Sequence, residues 1–221
     1  MKQIEFNEKL AIFAGIAIPI LTILFGTEKS PFKYTLSMIG NWFNWGDRIK
    51  FIIWGIFTAI FIVIFLIHIF QETRFRNKKA YRFLYASGIL LVLSVFTPTI
   101  TKQPIPLDMR TLRIGLHEIF SVLFSIFLIA SLYLFSRYLS ESEQELSIKP
   151  LRYLLITVGG SILVLTIFGM TGIFEFFFFI SLSIFLLIVE FRIRRQKKFE
   201  SKLMQNQKIS RKPSEEELAK E

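Results

Sequence analysis

Six apolar stretches, Leu10–Gly26, Phe51–Phe70, Phe83–Ile100, Ile114–Phe135, Leu151–Gly169 and Gly172–Phe191, take up just over half of this chain. A hydrocarbon core about 30 Å thick needs roughly 20 apolar residues in a helix, so each stretch is long enough to cross a bilayer. Inside a bilayer only helices and closed barrels satisfy every backbone N–H and C=O, and runs of this length belong to helices. The expected fold is therefore all-α, a polytopic membrane protein built as a six-transmembrane-helix bundle. Lys2 and Lys9 ahead of the first run imitate a secretory leader. No small-residue cleavage site follows, however, and Pro19 in mid-run is tolerated in a span.

A hydrophobic fraction of 52% suits a chain whose solvent is lipid. No connection between the runs can hold a separate globular domain. The expected organisation is one transmembrane domain over residues 1–191 and a basic, then acidic, tail over 192–221. The absence of cysteine removes disulfides, thiolate chemistry and cysteine-ligated metals. A net charge of +10 invites a nucleic-acid partner, but its distribution argues otherwise. With the N-terminus inside, 20 of the 27 Lys and Arg fall on the inner side, and only Lys29, Lys33, Arg48, Lys50, Lys102, Arg110 and Arg113 fall outside. The positive-inside rule then puts the N-terminus and the C-terminus in the cytoplasm, in agreement with an even number of spans. Heavy use of Ile, Phe, Lys and Asn resembles AT-rich bacterial genomes, so the expected location is the bacterial plasma membrane.

The first outer connection, Thr27–Lys50, carries Asn41-Trp42-Phe43-Asn44-Trp45. Trp42 and Trp45 are expected as interfacial anchors, since amphipathic rings settle at headgroup level. The second, Thr97–Arg113, has Pro98, Pro104 and Pro106, which disfavour regular structure. Only Met170 and Thr171 separate the last two runs, which implies a tight antiparallel hairpin. Thr157, Gly159, Gly160 and Ser161 form a small-residue patch of the kind that lets helices approach closely. After the sixth run, Arg192, Arg194, Arg195, Lys197 and Lys198 form a basic segment expected at the inner membrane surface. Further on, Ser214–Glu217 has the capping-box pattern, expected to start a separate acidic turn.

Ionisable groups inside spans are costly, which makes each a functional candidate. Near the inner ends, His68 is expected to snorkel to the cytoplasm and Glu190 to pair with the arginines that follow it. The other three converge by topology. His117 and Glu118 enter in the first turns of the fourth span, and Glu175 opens the sixth at nearly the same depth. Glu118, Ser121 and Ser125 recur at helical spacing on one face. Arg110 and Arg113 lie just above. The expectation is an outer-leaflet polar cluster of Arg110, Arg113, His117, Glu118, Ser121, Ser125 and Glu175, either a ligand site or a structural knot between the fourth and sixth spans.

Catalytic residues, metal and cofactor are not indicated. No nucleophile–base–orienter spacing, HExxH helix or Gly-rich phosphate loop occurs. Pro31…Ser37-x-x-Gly40, Thr97-Pro98, Arg113-x-x-x-His117-Glu118-Ile119-Phe120 and Gly172-Ile173-x-Glu175 together resemble the bacterial branch of the six-helix superfamily that includes the damage-regulated autophagy modulators (DRAM-like). The resemblance covers roughly residues 10–191. It implies six helices with both termini inside but very little about function: the bacterial branch carries no assigned activity, and the eukaryotic relatives are linked to lipid handling and membrane trafficking without a catalytic motif to match here. The expected function is a non-catalytic membrane protein that binds a lipid or other amphiphile, or a partner membrane protein, through the polar cluster. A small proton-coupled transporter using Glu118 and Glu175, or a membrane enzyme acting on lipid headgroups, are the alternatives. The expected partners are membrane lipids and another membrane protein, not nucleic acid. Oligomeric state is left open.

Overall fold

The computed structural model describes residues 2–42, 44–97, 107–141 and 150–218, and among them every regular element is a helix. In chain order these are α1 (Lys2–Gly26), α2 (Leu36–Trp42), α3 (Trp45–Glu72), α4 (Lys78–Phe96), α5 (Leu107–Glu141), α6 (Pro150–Phe168) and α7 (Gly172–Leu218). Five segments are long and apolar enough to cross a membrane: Trp45–Glu72, Lys78–Phe96, Ile114–Glu141, Pro150–Phe168 and Gly172–Gln196. The architecture is that of a multi-pass membrane helical bundle. In α1 the apolar part found among the described residues, Gly15–Gly26, is shorter than these five.

Neighbour packing closes a ring. α1 lies against α3, α3 against α4, α4 against α5, α5 against α6, α6 against α7, and α7 returns to α1. Short α2 rests on α3. Phe65, Leu66, Ile69 and Phe70 of α3, Leu128, Leu132 and Phe135 of α5, and Leu186 of α7 are almost wholly buried. Outward faces are apolar as well, for example Leu155, Ile162, Leu163 and Ile167 on α6, as expected where the surroundings are lipid. The small-residue patch on α6 divides: Thr157 and Ser161 are buried, and a Cβ on Gly160 would meet Phe177 of α7 at 2.7 Å, whereas Gly159 faces open space.

Two tight connections set the helix register. At the end of α3, Phe75 N–H donates to Phe70 O (2.8 Å) and Arg74 N–H to Gln71 O (3.1 Å), with Arg74 in the left-handed region at φ 56°. This pair of bonds is a Schellman closure, and the Phe70 and Phe75 rings pack edge-on at 4.9 Å to seal it. Asn77 then caps α4 by accepting from Lys79 N–H and Ala80 N–H. Between α6 and α7, Gly169 takes φ 68° and only Met170 and Thr171 follow before α7, the tight hairpin expected from sequence. Gly172 must stay small, because a Cβ there would stand 2.7 Å from Tyr34 O.

Several boundaries differ from expectation. α3 starts at Trp45, ahead of the apolar run, because Asn44 accepts from Asp47 N–H and returns a bond to the Asp47 carboxylate, a reciprocal cap. α5 starts at Leu107, so Asp108–Arg113 are helical; Pro98, Pro104 and Pro106 lie outside the described residues. α4 stops at Phe96 with Thr97 as its C-cap, and residues 98–100 of the expected third run also lie outside them. α7 runs unbroken across residue 191 to Leu218, so Ser214–Glu217 continues a helix instead of starting a separate turn.

Candidate functional site

The expected polar cluster is divided between two helix ends. On α5, His117 is buried, and its Nδ1 lies 2.8 Å from Ser94 O and 3.1 Å from Thr97 O. Carbonyls only accept, so Nδ1 carries the proton and donates. His117 therefore satisfies carbonyls left open at the C-terminal end of α4. Arg48 completes the same end, donating from Nη2 to Phe96 O (2.9 Å) and from Nη1 to the Asn41 side chain of α2. Ser121 Oγ sits 3.5 Å from His117 Nε2, and Ser125 Oγ donates back to Ser121 O.

Glu175 works elsewhere. Its Oε2 accepts from Leu36 N–H at 2.5 Å, the first amide of α2. Thr35 Oγ1 accepts from Met38 N–H, so α2 has a local cap and a second one delivered from α7. Gly172 N–H to Tyr34 O and Ile173 N–H to Pro31 O fasten the same loop to the α7 N-terminus. Among the described residues no hydrogen bond or ion pair joins Glu175 to His117 or Glu118. Glu118 is exposed. The knot expected between the fourth and sixth spans is thus replaced by α5-to-α4 and α7-to-α2 attachments. The side chains of Arg110 and Arg113 lie outside the described residues.

At the far end of the bundle stands a group that the sequence reading placed at the water boundary. Glu190 of α7 is 2% exposed and His68 of α3 6%, with His68 Nε2 3.4 Å from Glu190 Oε1. Arg194 Nε reaches the same oxygen at 2.8 Å. His68 therefore turns inward to α7 instead of snorkelling. The Glu190–Arg194 pair was legible as an i,i+4 spacing; the His68 partner was signalled only by shared depth. Glu190 Oε2 is buried and has no partner among the described residues. Arg195 and Lys198 are exposed, as the basic tail requires, and Arg192 is half-buried; the Lys197 side chain lies outside the described residues. Trp45 is 79% exposed, suited to an anchoring role, and the Trp42 side chain is again outside the described residues.

A third feature has no polar signature at all. Between α3 and α4 runs a groove of about 390 Å³ walled by Ala59, Ile60, Val63, Ile64, Tyr85, Gly88, Ile89, Val92 and Leu93. A Cβ on Gly88 would stand 2.8 Å from a Val63 methyl, so this glycine lets α3 and α4 approach closely beside the groove. Among the described residues no group of three or more His, Asp or Glu side chains is gathered to hold a metal. Compared with known protein families, characterised proteins and solved structures, the chain matches none.

Proposed function

We propose that this protein is a non-catalytic, six-span membrane protein of the bacterial plasma membrane, both termini cytoplasmic, whose accessory role rests on holding a lipid or similar amphiphile. The observation that carries the reading is the apolar trough between α3 and α4. Its walls are almost entirely hydrocarbon, as an acyl chain requires. The six-span count draws support from the ring, in which α1 fills the gap between α7 and α3. Orientation draws support from the concentration of Lys and Arg on one side. The DRAM-like resemblance agrees with this topology and rests on the short motifs alone. Lipid takes the place of the polar cluster as the reason for binding, since Glu175 and His117 are occupied in closing helix ends.

The test is photolabelling in native membranes with a phospholipid that carries a diazirine on its acyl chain. Peptides covering 59–93 should be labelled several-fold over the equally exposed α6 face at 155–167. Even labelling of both faces would leave only ordinary annular lipid and remove the reading.

A further inference from the structure

The trough has a polar end that makes it selective. On α4, Tyr85, Ile89 and Leu93 line the trough, and Arg82 and Lys78 lie three and seven residues before Tyr85. At helical spacing these five residues form a single stripe, so the two basic residues share the α4 face that lines the channel, one and two turns beyond its Tyr85 end. Lys78 and Arg82 are exposed and have no hydrogen-bond or ion-pair partner among the described residues. Their neighbour Lys79 is also exposed but points off the stripe, about 100° round the helix.

Resting on the lipid-binding reading above, we infer that the α3/α4 trough and the Lys78–Arg82 pair form one site for an anionic phospholipid, with an acyl chain along Tyr85–Leu93 and the phosphate between the two basic groups. From Arg82 to Leu93 the helix rises roughly 16 Å, long enough to lie along an acyl chain. Long basic side chains extend towards the headgroup layer, where the phosphate lies. The turn beneath is closed by the Phe70–Phe75 contact and the Asn77 cap, which fixes the start of α4 and so the backbone that carries the pair. A zwitterionic lipid would fill the trough equally well but gain less from the paired cations. That difference is the selectivity.

The full-length protein is reconstituted in vesicles of equal phosphatidylglycerol and phosphatidylethanolamine, extracted in mild detergent, and its retained lipid counted by mass spectrometry. Phosphatidylglycerol should be enriched, and the double variant Lys78→Gln/Arg82→Gln should lose that enrichment, by roughly fivefold for each charge removed. The control Arg76→Gln/Lys79→Gln, which removes two charges from the same turn, should keep it. Equal loss in both double variants would mean a diffuse basic surface and overturn the site. Retention of lipid without preference in the unaltered protein would overturn the selectivity while leaving the lipid-binding reading intact. Val92→Trp, which fills the trough, should reduce retention of both lipids; unchanged retention would overturn the reading on which the inference rests.

Discussion

At the scale of single residues, the bundle spends its ionisable groups on closing structure. Glu190 is the clearest case, because its Oε1 is shared by His68 and Arg194 in a site with almost no water. Removing Glu190 leaves the buried His68 nitrogen without its hydrogen-bond partner, at a cost of about 1–3 kcal/mol. Glu190→Ala should therefore lower the thermal unfolding midpoint in detergent by several degrees, and more than His68→Ala, which leaves the Arg194 pair in place. Arg194, partly exposed, can turn to solvent when abandoned; His68 cannot. Equal stability of Glu190→Ala and the unaltered protein would show that the group adds nothing. Of these contacts only Glu190–Arg194 was readable beforehand, because helical spacing fixes it locally. His117 and Glu175 were rightly singled out as misplaced polar groups, yet their partners are backbone atoms of other elements. A carbonyl or amide left open at a helix end has no mark of its own in the sequence.

At the scale of elements, the helix interiors were legible and their ends were not. Apolar length alone located α3, α4, α5, α6 and α7, since lipid demands it. Caps then moved the boundaries: Asn44 and Asp47 start α3 early, and Thr97 with His117 and Arg48 ends α4. α2 was missed altogether. Its seven residues are too few to be stable alone, and two caps plus burial of Leu36 and Ile39 against the bundle hold it. The Glu175 contact is the one that joins it to α7. Glu175→Ala should cost about 1 kcal/mol, the worth of a cap, and speed hydrogen exchange of the Leu36–Met38 amides relative to the rest of the bundle. Glu175→Gln retains a carbonyl oxygen for Leu36 N–H and should restore most of the protection. Unchanged exchange in Glu175→Ala would leave Thr35 as the whole cap.

At the scale of the molecule, charge and packing speak to different halves of one question. Charge asymmetry supports the proposed orientation but cannot count crossings; the ring counts helices but not crossings. The trough, in turn, was invisible in sequence, because its walls are apolar residues that look like any lipid-facing surface. α1 is where the two halves meet. Its described apolar part is short, yet Ile18, Thr22 and Phe25 are buried, and Thr22 accepts from the Trp54 indole N–H at 3.0 Å. In the proposed six-span topology α1 passes through the membrane beside α3 and α7, with its start on the side of Lys78 and its end on the side of Lys33. Because the chain has no cysteine, single cysteines report without interference. Lys33→Cys should react with a membrane-impermeant maleimide on intact cells, while Lys78→Cys and Gln3→Cys should react only after lysis. Reaction of Gln3→Cys on intact cells would put the start of α1 outside and reduce the bundle to five crossings. Reaction of Lys78→Cys with protection of Lys33→Cys would invert the whole protein and place the anionic-lipid site in the opposite leaflet.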